Sequence, residues 1–160
     1  MTTNIKFEDG NLVATRTYNA AIEDVFNAWV ETSKVQQWWG CAECTKVSSE
    51  IDARVGGVYN HDMTIENEHG SFQVPGSSVF IEYDPPHRLA YKSTDDSDPM
   101  HVTVTFETVE AGTRVVMTQS NIPDISVDGD VPLREIVQAG WEASLEKLDA
   151  VVTSRELRVD

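Results

Sequence analysis

The chain has 160 residues, with 12 Lys plus Arg against 27 Asp plus Glu and a formal charge of −15 at neutral pH. That is the length of one domain, 1–160, and 40% hydrophobic residues are enough to fill a single core without disulfides. The acidic excess, with no Lys/Arg cluster to offset it locally, repels phosphate backbones and anionic head groups, which excludes nucleic acids and membrane surfaces as partners. No stretch approaches the roughly 18 apolar residues of a membrane span, and the opening MTTNIKFEDG lacks a basic segment followed by an apolar one, so the expected location is the cytoplasm. Cys41 and Cys44 are too few and too close to staple a secreted scaffold, which agrees with a reducing compartment.

Residues 11–18 read as the first strand. Asn19 can then cap a helix whose apolar stripe is Ile22, Val25, Phe26 and Trp29, at i, i+3, i+4 and i+7. Ser33 and Gln36 match a capping box, so a second short helix is expected to run to about Trp38 and to end at Gly40. Short β-rich runs follow at 45–51, 58–65, 77–83, 88–94, 101–110 and 113–119. The breaks Gly56-Gly57, Asp84-Pro85-Pro86 and Ala111-Gly112 fall between them, where bends and hairpins need them. Residues 121–130 have no period and read as a loop, after which Asp130 can cap and Pro132 can enter the first turn of a last helix. Leu133, Val137, Gly140, Trp141, Ser144, Leu145, Leu148, Val151 and Val152 line one stripe of that helix. A stripe so long must lie on something large, and only the antiparallel strands are available. The expected class is α+β, with a curved sheet wrapped around a long C-terminal helix.

Residues spread over most of the chain carry a family resemblance. They are Arg16 followed by Tyr18-Asn19-Ala20-Ala21 and Val25-Phe26; Trp38-Trp39-Gly40; Asp52 to Gly57 as DARVGG; Glu82-Tyr83-Asp84-Pro85-Pro86 with Arg88-Leu89; Thr103 to Glu107 as TVTFE; Gly112-Thr113-Arg114; and Gly140-Trp141 ahead of Leu145 and Leu148. In order and spacing, over about 12–152, they resemble the activator of heat-shock-protein-90 ATPase homologues. That family lies within the START and polyketide-cyclase (SRPBCC) superfamily, whose fold is the helix grip. Two features depart from its pattern: Cys41 stands where proline is usual after Trp-Trp-Gly, and the segment 121–131 is long. The resemblance implies about seven antiparallel strands gripping the final helix, two short helices closing one end, and a cavity between sheet and helix. Relatives use such a cavity for apolar ligands, and eukaryotic members act as co-chaperones. Fold alone does not choose between these uses.

Strand parity indicates which side chains can reach a cavity. Tyr59, His61, Met63 and Ile65 share one face, which points His61 inward, where it can act as an acid or base, orient a ligand, or serve as a satisfied core histidine. Glu82 shares parity with Phe80, so it is either a desolvated carboxylate in the cavity or a solvated partner of a surface cation. Cys41-Ala42-Glu43-Cys44 has the spacing of a metal or redox pair, but no paired histidines accompany it and it leads out of a helix rather than into one. No metal or cofactor is expected, and the cysteines read as packing or surface residues. Trp38 and Trp39, adjacent on a helix end, cannot both face the core, so one of them can close the cavity or present a surface to a partner.

The leading expectation is a domain that holds a small apolar molecule against Trp39, Tyr59, His61, Met63, Phe80, Tyr91, Val104, Phe106, Met117, Trp141 and Leu145. A second is a co-chaperone-like domain whose acidic surface docks on a heat-shock ATPase. A third is a cyclase or isomerase in which His61 and Glu82 move protons. Monomer and homodimer are both compatible with the sequence.

Overall fold

The computed structural model describes residues 3–127 and 130–153. The chain begins with strands β1 (Asn4–Glu8) and β2 (Asn11–Tyr18), then helices α1 (Ile22–Val30) and α2 (Thr32–Trp38). Seven strands follow: β3 (Cys44–Ile51), β4 (Tyr59–Asn67), β5 (Gly70–Gly76), β6 (Ser78–Asp84), β7 (Arg88–Ser93), β8 (His101–Val109) and β9 (Gly112–Ser120). A two-residue hairpin, β10 (Ser126–Val127) and β11 (Val131–Pro132), leads into α3 (Leu133–Thr153).

All pairings are antiparallel, as the α+β reading requires, but the strands form two sheets rather than one of about seven strands. A six-stranded sheet runs β1-β2-β9-β8-β7-β6, and a three-stranded sheet runs β3-β4-β5. β1 and β5 account for the difference from the sequence expectation. Asp9 and Gly10, at φ 51° and 82°, make the tight turn that folds β1 back on β2. β5 is an edge strand with every residue exposed, which is where Pro75 is tolerated.

The helix starts differ from expectation for local reasons. Ala20 donates to the Tyr18 carbonyl and accepts from the Thr113 hydroxyl, which holds 18–20 in a bend, so α1 starts after Ala21 and Asn19 does not cap it. α2 starts at Thr32, and Gln36 does not reach back to Ser33; its Oε1 accepts the Ser49 N–H of β3 at 2.9 Å. Asp130 and Pro132 lie outside α3 because the β10–β11 hairpin precedes it, and the Leu133 N–H donates to Ile125.

The six-stranded sheet and α1 enclose the C-terminal half of α3, where Leu145, Leu148 and Val152 are buried with Phe26, Trp29, Phe106 and Met117. Tyr18 donates its hydroxyl to the Leu145 carbonyl at 2.8 Å, and Arg16 pairs with Asp149 at 2.7 Å, so β2 grips α3 by polar ties as well as by packing. The two sheets meet at the DARVGG segment. Gly56 donates to the Phe80 carbonyl, Phe80 donates to the Gly57 carbonyl, and Val58 bridges Val79. A Cβ on Gly57 would overlap the Asp52 carbonyl oxygen, which explains the second glycine of the pair. Gly57→Ala is therefore expected to destabilise the fold by about 3 kcal/mol, measured by urea unfolding, because backbone must move to admit the methyl. A cost below about 1 kcal/mol would show that this joint is not close-packed.

Candidate functional site

Register across the three-stranded sheet sets one wall of the site. Ser49, His61 and Gly76 stand side by side, and the next pairs along are Val47, Met63 and Val74. Directly opposed residues of antiparallel strands project to the same face, so His61, Met63 and Val74 share the concave side, and Gly76 leaves open the space beside His61. The six-stranded sheet supplies a matching row, because Tyr91, Val102 and Gln119 are consecutive register partners on β7, β8 and β9. Trp39 closes the arrangement from the end of α2 and Trp141 from α3.

Gly40 makes that closure possible. It sits at φ 104°, its N–H donates to Ser144 Oγ at 3.0 Å, and Ser144 Oγ donates to its carbonyl at 2.9 Å. One serine of α3 thereby clamps both faces of the turn after α2. Trp38 is fully buried in the core, with its indole donating to the Ala28 carbonyl, and the partly buried Trp39 ring lies against it at 5.5 Å between centroids, at the core's border with the site. The Trp39 ring stacks on His61 at 3.9 Å between centroids and lies edge-on to Trp141 at 5.6 Å.

These walls enclose a pocket of two connected lobes. The inner lobe, about 220 Å³, lies among Trp39, His61, Met63, Gly76, Ser78, Tyr91, Met100, Val102 and Trp141. The outer lobe, about 330 Å³, lies between Ile65 and Val74 on one side and Ile136, Val137 and Gly140 of α3 on the other. Trp39, Met63, Val74, Gln119 and Trp141 border both. No Asp, Glu, Lys or Arg lines either lobe among the described residues.

Two polar groups at the inner lobe are buried without a hydrogen-bond partner among the described residues: His61 Nε2 and Tyr91 Oη. The other imidazole nitrogen, Nδ1, hydrogen-bonds Ser49 Oγ at 2.9 Å. Burial disfavours the imidazolium and pulls the His61 pKa down to about 3, so the ring is neutral at physiological pH. Burial also pushes the Tyr91 phenol up, keeping it a hydroxyl. Trp141 is settled by contrast, its indole donating to Gln119 Oε1 at 2.7 Å.

Of the residues expected to line a cavity, Trp39, His61, Met63, Tyr91 and Trp141 are brought together here. Tyr59, Phe80, Val104, Phe106, Met117 and Leu145 are instead fully packed core, and none of them lines the pocket. Trp29 and Phe26 fill the space over them, with the Phe26 and Phe106 rings 5.1 Å apart. Of the two readings for Glu82, the solvated partner of a surface cation is the one found, and the desolvated cavity carboxylate is not. Pairing shifts between Phe80 and Glu82, the extra residue reverses the alternation, and Tyr83 rather than Glu82 joins Phe80 at the core. Glu82 is exposed and paired with Arg88, so it cannot share a substrate with His61. Val74, Gly76, Met100, Gln119 and Ile136 line the pocket without having been expected there. Gln119 was legible as the inward partner of Val102; Val74 required recognising β5.

The half-buried thiols of Cys41 and Cys44 bracket a turn closed by the Cys44 N–H on the Cys41 carbonyl at 3.1 Å. The Cys44 thiol donates to the Lys46 carbonyl, and burial raises its pKa. Among the described residues no three His, Cys, Asp or Glu side chains cluster as a metal site. Among the described residues no helix is long and apolar enough to cross a membrane.

The architecture matches solved bacterial structures. A protein from Chromobacterium violaceum superposes with TM-score 0.76 at 25% identity, covering 89% of this chain and 96% of its own. A protein from Rhodobacter sphaeroides gives 0.76 at 21% identity, covering 96% and 99%. An AHSA1-like protein from Aeromonas hydrophila gives 0.70 at 21% identity, covering 94% and 96%. No curated protein matches the chain. Residues 19–153 match the sequence profile of the family described as Activator of Hsp90 ATPase homolog 1-like protein, and the chain belongs to that family, with the helix-grip fold.

Proposed function

We propose that this domain binds a small, largely apolar molecule in the pocket between the three-stranded sheet and the N-terminal half of α3. The observation that carries the reading is the unfilled space itself. Two connected lobes, walled by Trp39, Tyr91, Trp141 and aliphatic side chains, remain open beside a core that is otherwise packed shut. Apolar walls with a few convergent polar groups are the usual make-up of a small-molecule site. The surroundings favour binding over acid–base turnover, since a neutral, desolvated His61 has no carboxylate beside it in the pocket and the Tyr91 phenol is held as a hydroxyl by burial.

The test is saturable binding of the neutral fluorescent dye N-phenylnaphthylamine. The wild-type chain should enhance its emission with one-site saturation. Val74→Trp places an indole in both lobes from an exposed edge strand, so it should weaken binding by about tenfold or more with little change in melting temperature. No saturable enhancement, or unchanged affinity in Val74→Trp, would remove this reading.

A further inference from the structure

The pocket is largely apolar, and His61 and Tyr91 stand in the wall of its inner lobe. There, His61 Nε2 and Tyr91 Oη are withdrawn from solvent and paired with nothing among the described residues. A buried polar atom without a partner is costly, and native proteins leave few of them. Two of them on residues that wall one open lobe point to a ligand as the source of the missing partner. Other polar side chains around the pocket contrast with them: Ser144 is engaged on both sides by Gly40, and Trp141 donates to Gln119.

The chemistry of the two atoms narrows the partner. Tyr91 can donate and accept, whereas a neutral imidazole donates from one nitrogen and accepts at the other, so the role of Nε2 depends on the direction of the Ser49 hydrogen bond. A ligand hydroxyl, itself donor and acceptor, satisfies both tautomers. A carbonyl satisfies only one of them, and a hydrocarbon neither. A carboxylate would bring a charge into a lobe lined by no cation. Aromatic walls from Trp39, Tyr91 and Trp141 favour a ring on the same end of the molecule.

We propose, resting on the small-molecule reading above, that the ligand is an uncharged aromatic alcohol whose hydroxyl is held at the buried end by His61 and Tyr91. Its apolar remainder extends into the outer lobe between Val74 and Val137. The same arrangement carries a stability signature. In the empty protein the Tyr91 hydroxyl is buried for no return, so Tyr91→Phe, which deletes only that oxygen, should hold or raise the melting temperature while impairing recognition of the alcohol.

The experiment is displacement of N-phenylnaphthylamine at neutral pH by naphthol, naphthalene and naphthoate, which share a ring system and differ in the polar end. Naphthol should compete at concentrations about tenfold lower than either of the others, and Tyr91→Phe and His61→Phe should each remove most of its advantage over naphthalene. If dye binds but naphthalene competes as well as naphthol, the hydroxyl assignment is overturned and the apolar-ligand reading stands. Naphthoate as the best competitor overturns the requirement for a neutral ligand. A naphthol advantage that survives both substitutions overturns the choice of His61 and Tyr91. Failure of the dye itself to bind overturns both readings together.

Discussion

Asp149→Ala is expected to cost about 3–5 kcal/mol, more than removing the cation it pairs with. Arg16 lies beneath α3 with its side chain only 7% exposed, while Asp149 is 31% exposed. The guanidinium donates to Asp149 at 2.7 Å and to Thr3 Oγ1 at 2.9 Å, and its Nε is buried without a partner among the described residues. Deleting the carboxylate strands a cation that cannot shed its proton, whereas deleting the cation leaves a carboxylate that water can reach. Arg16→Met should therefore cost less, about 1–2 kcal/mol. A variant carrying both Arg16→Met and Asp149→Leu should recover most of the loss, because the charge and its counter-charge leave together. Urea unfolding of the four proteins checks this. For Asp149→Ala the melting temperature should fall by roughly 6–15 °C. A smaller loss in Asp149→Ala than in Arg16→Met, or strict additivity in the double variant, would show that the pair is not desolvated as described.

The second large effect is an acid sensitivity contributed by His61. Its pKa is 6.5 in a solvated chain and about 3 when folded, because burial opposes the imidazolium. Between those values the unfolded chain takes up a proton that the folded protein refuses, so protonation favours unfolding. The contribution is fully present above pH 6.5 and is lost progressively as pH falls toward 3. The slope is about 1.4 kcal/mol per pH unit, so roughly 2.7 kcal/mol disappears by pH 4.5. His61→Gln replaces the ring with a polar group that does not titrate. Subtracting its stability from that of the wild type at each pH cancels the many surface carboxylates the two share. That difference should be flat above pH 6.5 and fall below it; parallel profiles would mean that His61 is solvated and protonates in place. The same neutrality makes His61 a hydrogen-bonding group at physiological pH rather than a cationic one, which ties the stability prediction to the ligand chemistry of the pocket.

Much of the architecture was readable because it depends on periodicity. The stripe from Leu133 to Val152 specified a long helix with one buried side, and that side is the one gripped in the structure. Besides the short β10–β11 hairpin, two strands of the main sheets escaped notice for identifiable reasons. β1 is short and half exposed, and the Asp9-Gly10 turn that announces it is a two-residue signal. β5, GSFQVPG, carries a proline and two glycines, which argue against a strand unless it is known to be an edge. Capping failed for another reason: Gln36 and the bend before α1 are claimed by β3 and by Thr113, partners remote in sequence.

The site divides along the same line. Alternation along β4 correctly put Tyr59, His61 and Met63 on one face, because nothing interrupts that strand's period of two. It failed on β6, where one inserted residue after Phe80 sends Glu82 to solvent; a bulge is set by how a strand is pulled onto its neighbours. Which inward residues border empty space could not be read at all. Tyr91 and Phe106 look alike in sequence, both aromatic and both inward, yet Phe106 lies under Phe26 and Trp29 while Tyr91 keeps a free hydroxyl at the pocket. Fold class and most inward faces were thus written in the chain's local periodicity, and the family in the order and spacing of motifs such as Trp38-Trp39-Gly40 and DARVGG. Where the core stops and the pocket begins is set by packing in three dimensions, because that boundary depends on whether side chains from distant elements reach far enough to fill the space between them.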